Sequence, residues 1–268
     1  MINWLRLPQK VYFKRGSTPV ALRELSEVYG YKKAFLISTA SEFNAGITRP
    51  IEQLLKDQGI AYACFSDFDG DFEFNDAFKG LAKMQSMNAD VIIGIGGYGA
   101  MTMARLMTIL CDDPEADFEE LAAKYGKITD VVSGCPGDNV PLVLIPANNY
   151  AGTFPVAAAL NEGKKSAIID FAGLPFMVVI DPNTAESYSL EEIKKNAEDA
   201  LALVEKVSAD EDTSDYARGL ADQAIEVIKA NIPLLGDTTL AGKKAVENLA
   251  NATAIAGIAA ANGNIDSI

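Results

Sequence analysis

The chain has 268 residues, 49% of them hydrophobic and 22% charged, enough apolar material for one large core or two modest ones. Its formal net charge of -14 repels phosphate backbones, so nucleic acid is not expected as a partner, and no apolar stretch is long enough to span a membrane. Histidine is absent, which excludes Ser-His and Cys-His nucleophile pairs and removes the commonest transition-metal ligand.

Met1 to Arg6 carries no long apolar run followed by a small-residue cleavage site, so a cytoplasmic protein is expected. Thr18-Pro19 then opens a helix through Leu25, with Thr18 as the expected cap. Lys33 to Ser38 is a short apolar run of the kind found in buried parallel strands. Ile47 to Gly59 has helical spacing and stops at a glycine. Ala61 to Phe65 reads as a strand, Asn75 to Met87 as a helix and Asp90 to Ile95 as a third strand. That strand runs straight into Gly96-Gly97-Tyr98-Gly99-Ala100 and a helix through Leu110. Val140 to Ile145 and Phe176 to Ile180 are two more strands, and strands separated by helices imply a doubly wound, Rossmann-like parallel sheet.

Beyond Asp181 the pattern becomes wholly helical, over Leu190 to Val207, Ser214 to Ala230 and Gly242 to Ala261. The simplest division is an α/β domain over 1–184 and a partial all-helical domain over 185–268. Asn248 to Asn262 has no charge on any face, so this helix needs cover, either from the rest of the chain or from a homo-oligomer or partner subunit. Cys64, Cys111 and Cys135 are too scattered for a zinc site and read as buried free thiols.

Leu7 to Ser17, Asp90 to Gly97, Asp117 to Ala122 and Asn251 to Gly257 together resemble the iron-containing alcohol dehydrogenases, above all the alcohol dehydrogenase half of the bifunctional aldehyde–alcohol dehydrogenases. The resemblance spans nearly the whole chain but only about the first two thirds of a family member, whose later helices are missing here. It implies a dehydroquinate synthase-like fold: a Rossmann-like sheet domain followed by a truncated helical domain.

The resemblance also implies where functional residues should lie. The family's Gly-Gly-Gly-Ser turn, whose amides cradle the dinucleotide pyrophosphate at a helix N-terminus, falls on Gly96, Gly97, Tyr98 and Gly99. The aspartate and lysine that follow become Thr102 and Arg105. The family aspartate that binds the adenosine ribose falls on Thr39, with Phe43 and Asn44 matching beside it, or else merely capping and packing a helix. NAD or NADP, weakly held, is the implied cofactor, at Gly96, Gly97, Gly99, Thr39 and Asn44. The family loop over the nicotinamide survives only as Pro146 and Gly152; its threonines become Ala147 and Asn148 and its glutamate Phe154.

The family's iron is held by an aspartate and three histidines. By this resemblance the aspartate matches Asp199, the first histidine becomes Leu203, and the other two would lie at or beyond the chain's end. One ligand of four predicts no metal and no catalytic residue in this chain. Four readings stand at this point. The first is a metal-free relative that acts through association. The second is an NAD(P)-dependent alcohol dehydrogenase whose metal ligands come from a separate polypeptide. The third is a scaffolding module that binds no nucleotide. The fourth is that the sequence is a piece of a longer protein.

Overall fold

The computed structural model describes residues 5–125, 140–147 and 152–263. Its centre is a six-stranded sheet, parallel throughout, built from β1 (Lys10–Phe13), β2 (Lys33–Ile37), β3 (Ala61–Phe65), β4 (Val91–Gly96), β5 (Leu142–Pro146) and β8 (Met177–Ile180). The strands lie in the order β1-β8-β5-β4-β2-β3. β4 and β5 are buried along their whole length because helices cover both faces, which is why their sequences are continuous apolar runs rather than alternating ones.

The helices of this part are α1 (Thr18–Glu27), α2 (Ala40–Ala45), α3 (Arg49–Asp57), α4 (Phe74–Met87), α5 (Tyr98–Asp112) and α6 (Phe118–Ala123). α1 and α3 pack one face of the sheet, where Leu22, Leu25, Ile51 and Leu55 meet Leu36, Ile93 and Val143. α4 and α5 pack the other, where Leu81, Met84, Met103 and Met107 meet Phe35, Ile92 and Leu144. The expected cap of α1 is corrected: Thr18 is the first helical residue, and the buried Asp181 carboxylate accepts from the backbone N–H of Gly16 and Thr18 and from the Thr18 hydroxyl.

Two features depart from the sequence reading. β1 was not anticipated as a strand, and residues 156–169 form an antiparallel hairpin of β6 (Val156–Asn161) and β7 (Lys164–Ile169). Its two-residue turn, Glu162-Gly163, has positive φ at both positions, 50° and 78°, which matches the twist of the paired strands.

After the short α7 (Pro182–Ala185) come α8 (Leu190–Ala209), α9 (Asp215–Asn231) and α10 (Leu240–Ala261). Thirteen residues of α10 are buried, and what buries them is this chain. Leu249, Ala252, Ala256 and Ala260 pack with Ala200, Val204, Ala221 and Ile228, while Ala250 and Ala254 pack on Val178 and Ile180 of β8. Small side chains let the three helices and the strand approach closely, and this supplies most of the cover that an uncharged helix needs. Asn251, Ile255 and Ile258 are left half-exposed as a narrow strip.

Candidate functional site: the cleft at the carboxyl edge of the sheet

From β2 the chain crosses to β3 at one edge and then returns to place β4 on the other side of β2. That reversal is the topological switch point of a doubly wound sheet, where the helices diverge and leave a crevice beyond the carboxyl ends of the strands. A cleft of about 550 Å³ lies there. Its described lining includes Thr39, Ser41 and Glu42 after β2, Gly70 and Asp71 after β3, Tyr98 and Gly99 after β4, and Ser187, Tyr188 and Glu192 from the helical side.

The glycines after β4 have separate physical reasons. Gly96 ends the strand with φ +130°, in the region that side chains disfavour, and a Cβ there would overlap the carboxylate of Glu42. Gly97 is the N-cap of α5 and points its N–H into the cleft. Gly99 lies in the first turn of α5, where a Cβ would come 2.7 Å from the Cα of Gly70, so it lets the β3–α4 connection close over the helix. Tyr98 is the first residue of α5, and its ring lines the cleft 5.7 Å from the Lys165 ammonium.

What fills the turn is a carboxylate from the chain itself. Glu42 Oε1 accepts from the Gly97 N–H at 2.5 Å and from the Tyr188 hydroxyl at 2.5 Å. Its Oε2 accepts from the Thr39 hydroxyl at 2.8 Å, the Thr39 N–H at 3.1 Å and the Ser38 hydroxyl at 3.3 Å. Burial, and after it the charge of Glu42, push the Tyr188 phenol upward, so it stays protonated and donates. Thr39 and Glu42 also form the capping box of α2. Thr39 is therefore in the cleft, with its side chain engaged. Asn44 is not: it is exposed on α2 and absent from the described lining, and the capping is done by Thr39 and Glu42 rather than by Phe43 or Asn44.

Three carboxylates and no cation stand among the described lining residues. Lys165 reaches the rim, where it pairs with Asp71 at 2.6 Å. Arg105, the retained cation of the turn's helix, points elsewhere. It is fully buried, donates to the Gly152 carbonyl at 2.9 Å, and burial lowers its pKa to about 9. Thr102 is buried too, and its hydroxyl has no hydrogen-bond partner. Pro146 and Gly152, the two residues kept from the nicotinamide loop, are held by packing, since a Cβ on Gly152 would meet the Pro146 ring at 2.5 Å. Ala147 is buried, and Asn148 lies outside the described residues.

The expected metal position offers one donor. Asp199 is exposed on α8 and paired with Lys195 at 2.6 Å. Leu203, one turn further along the same side of the helix, is buried in one apolar cluster with Phe154, Phe171, Val204 and Leu249. Among the described residues no three His, Cys, Asp or Glu side chains converge. One outward carboxylate beside hydrocarbon is not a donor set for divalent iron. In the glycine turn, Glu42 takes the Gly97 N–H, one of the donors that a dinucleotide diphosphate would meet there.

Of the thiols, Cys64 and Cys111 are half-buried rather than fully buried; burial raises them to about 11 and about 12. Cys135 lies outside the described residues. No helix among the described residues is long and apolar enough to cross a membrane.

Sequence reasoning found the glycines and Thr39 but missed Glu42 and Tyr188. For Glu42 a signal existed, the Thr39-x-x-Glu42 capping pattern; for Tyr188 there was none.

Comparison with known proteins agrees with this geometry. Residues 8–182 match the family described as iron-containing alcohol dehydrogenase. The bifunctional aldehyde-alcohol dehydrogenase AdhE of Escherichia coli K12 is 29% identical over 265 residues, which cover 97% of this chain and 30% of that protein. Among solved structures, the iron-containing alcohol dehydrogenase of Thermococcus thioreducens superposes with a TM-score of 0.82 at 18% identity, over 96% of this chain and 66% of that one. The sulfoacetaldehyde reductase of Bifidobacterium kashiwanohense, solved in complex with NAD+, superposes with a TM-score of 0.80 at 17% identity, over 97% of this chain and 67% of that one. These structural likenesses speak to the fold, whereas the match over 8–182 speaks to descent: the chain belongs to the iron-containing alcohol dehydrogenase family.

Proposed function

We propose that this chain is a metal-free member of its family that does not transfer hydride by itself, keeps a dinucleotide-type cleft of low affinity for NAD or NADP, and acts through association. The observation that carries the reading is the apolar cluster joining Leu203 to Phe154. Two positions at which the resemblance implies polar groups, a metal ligand and a glutamate by the nicotinamide, here pack against each other's neighbours as core. In alcohol oxidation a bound metal ion polarises the alcohol oxygen so that the proton can leave before hydride moves. Among the described residues no three His, Cys, Asp or Glu side chains converge to offer lone pairs to an ion. The sequence match to AdhE and the NAD+-bound reductase neighbour support the ancestry of the cleft, not its present affinity.

The test is direct. The purified chain is incubated with ferrous ion, dialysed, analysed for iron, and assayed with a simple alcohol and NAD or NADP. Sub-stoichiometric iron and no reduced nicotinamide are expected. Stoichiometric iron with turnover would overturn the reading, and turnover that appears only with a second polypeptide would favour an oxidoreductase shared between two chains.

A further inference from the structure

The anion site at the start of α5 already has an anion in it. The Gly97 N–H, at the positive end of a 15-residue helix, is the donor expected to meet a diphosphate, and it donates to Glu42 instead. We propose that Glu42 is a built-in ligand of this cradle, which competes with the diphosphate of a dinucleotide and keeps the cleft's affinity for NAD or NADP low. The inference deepens the reading of the cleft given above and rests on it.

Three observations converge. Gly96 has no side chain in the volume that the Glu42 carboxylate fills, so the space left by that glycine is used by a group from this chain. The carboxylate is held from both sides of the cleft, by Ser38 and Thr39 at the end of β2 and by the Tyr188 hydroxyl ahead of α8. The Gly97 N–H and the hydroxyls of Ser38, Thr39 and Tyr188, donors that a phosphate oxygen could use at this point, are therefore already engaged by Glu42. Finally, Glu192 adds a further carboxylate to the lining, and Lys165 at the rim is already paired with Asp71.

The arrangement is reversible in principle. Glu42 sits on the six-residue α2 at the open mouth of the cleft, and its side chain can swing into solvent without unfolding either sheet or helix. A ligand must then supply the interactions that Glu42 gives up, as well as face its charge at close range. Affinity falls by the free energy of that exchange.

Calorimetric titration of the full chain with ADP-ribose tests the proposal, comparing the wild type with Glu42→Ala, Glu42→Gln and Tyr188→Phe. Adenosine, which lacks the diphosphate, and inorganic pyrophosphate serve as further probes. Removing the charge is expected to tighten ADP-ribose and pyrophosphate by about tenfold or more, the effect of one displaced donor contact and one like charge. Tyr188→Phe, which only loosens the carboxylate, should give a smaller gain, and adenosine should not respond. Equal, measurable ADP-ribose affinity in all four proteins would overturn the competition while leaving the cleft a dinucleotide site. A gain that adenosine shares would overturn it as well, by showing a general opening rather than anion competition. No heat with ADP-ribose in any folded variant would overturn the dinucleotide reading and this proposal together. Should Glu42→Ala fail to fold, Glu42→Gln keeps an acceptor for the α2 cap and carries the same test.

Discussion

Leu203 is 8% exposed, in one apolar cluster with Phe154, Ala200 and Leu249. Returning a histidine to this one position gives at most two donors. Asp199, one turn earlier on α8, is exposed and paired with Lys195, and no three His, Cys, Asp or Glu side chains converge among the described residues. Leu203→His is therefore expected to lower stability by about 2–4 kcal/mol by placing an imidazole in an apolar cluster. The measurement is the urea midpoint with and without ferrous ion. An ion that bound the folded state would raise that midpoint by mass action, and such a rise would contradict the argument. Glu42 shows the complementary effect of one residue, since it turns a backbone shape inherited for an anionic cofactor into an internally satisfied contact.

Helix termini show how local chemistry sets elements that the site depends on. Ser189 caps α8 by accepting from the Glu192 N–H, and the Glu192 carboxylate reaches back to the Ser189 hydroxyl and N–H. Those bonds hold the Glu192 carboxyl below its usual range, the Ser189 side chain contributing most. A carboxyl depressed in the fold stabilises it above the unfolded value of about 4.3 and loses that contribution as pH falls through the folded value. Ser189→Ala should cost about 1 kcal/mol near neutral pH, and the difference from wild type should shrink in acid, as chemical denaturation at a series of pH values will show. A cost that did not change with pH would mean that Glu192 takes no part. The same locality explains what was legible. β2 and β4 stood out because burial on both faces leaves short uninterrupted apolar runs, and the half-buried edge strand β3 because Ala61 to Phe65 is apolar throughout. β1 did not, since only Val11, Tyr12 and Phe13 stand between Lys10 and Lys14-Arg15. β6 is built on Ala157-Ala158-Ala159, which has little strand preference, and only the Glu162-Gly163 turn betrayed the hairpin. In the cleft, glycines announced the turn, but Glu42 meets Gly97 across 55 positions and Tyr188 across 146. No local pattern encodes such pairings.

At the scale of the whole molecule, hydrophobic cover and charge oppose each other. The strip of Asn251, Ile255 and Ile258 on α10 follows i, i+4, i+7 spacing, and these three are the part of the helix's uncharged stretch that its own chain leaves half-exposed. Two copies meeting there would bury apolar surface, but each copy carries a net charge of -14. Like-charged molecules repel over a Debye length of about 30 Å at 0.01 M salt and about 8 Å at 0.15 M. Self-association is thus opposed at low ionic strength and released as salt rises, whereas a complex with a basic partner would weaken over the same range. Light scattering behind size exclusion should show a larger fraction of dimer at higher salt, and Ile255→Lys together with Ile258→Lys should abolish it by placing solvated charge in the strip. A monomer at every salt and protein concentration would remove self-association from the reading. A dimer indifferent to the two lysines would move the contact to another face, for which the exposed Phe13 on the edge strand β1 is the next surface to substitute.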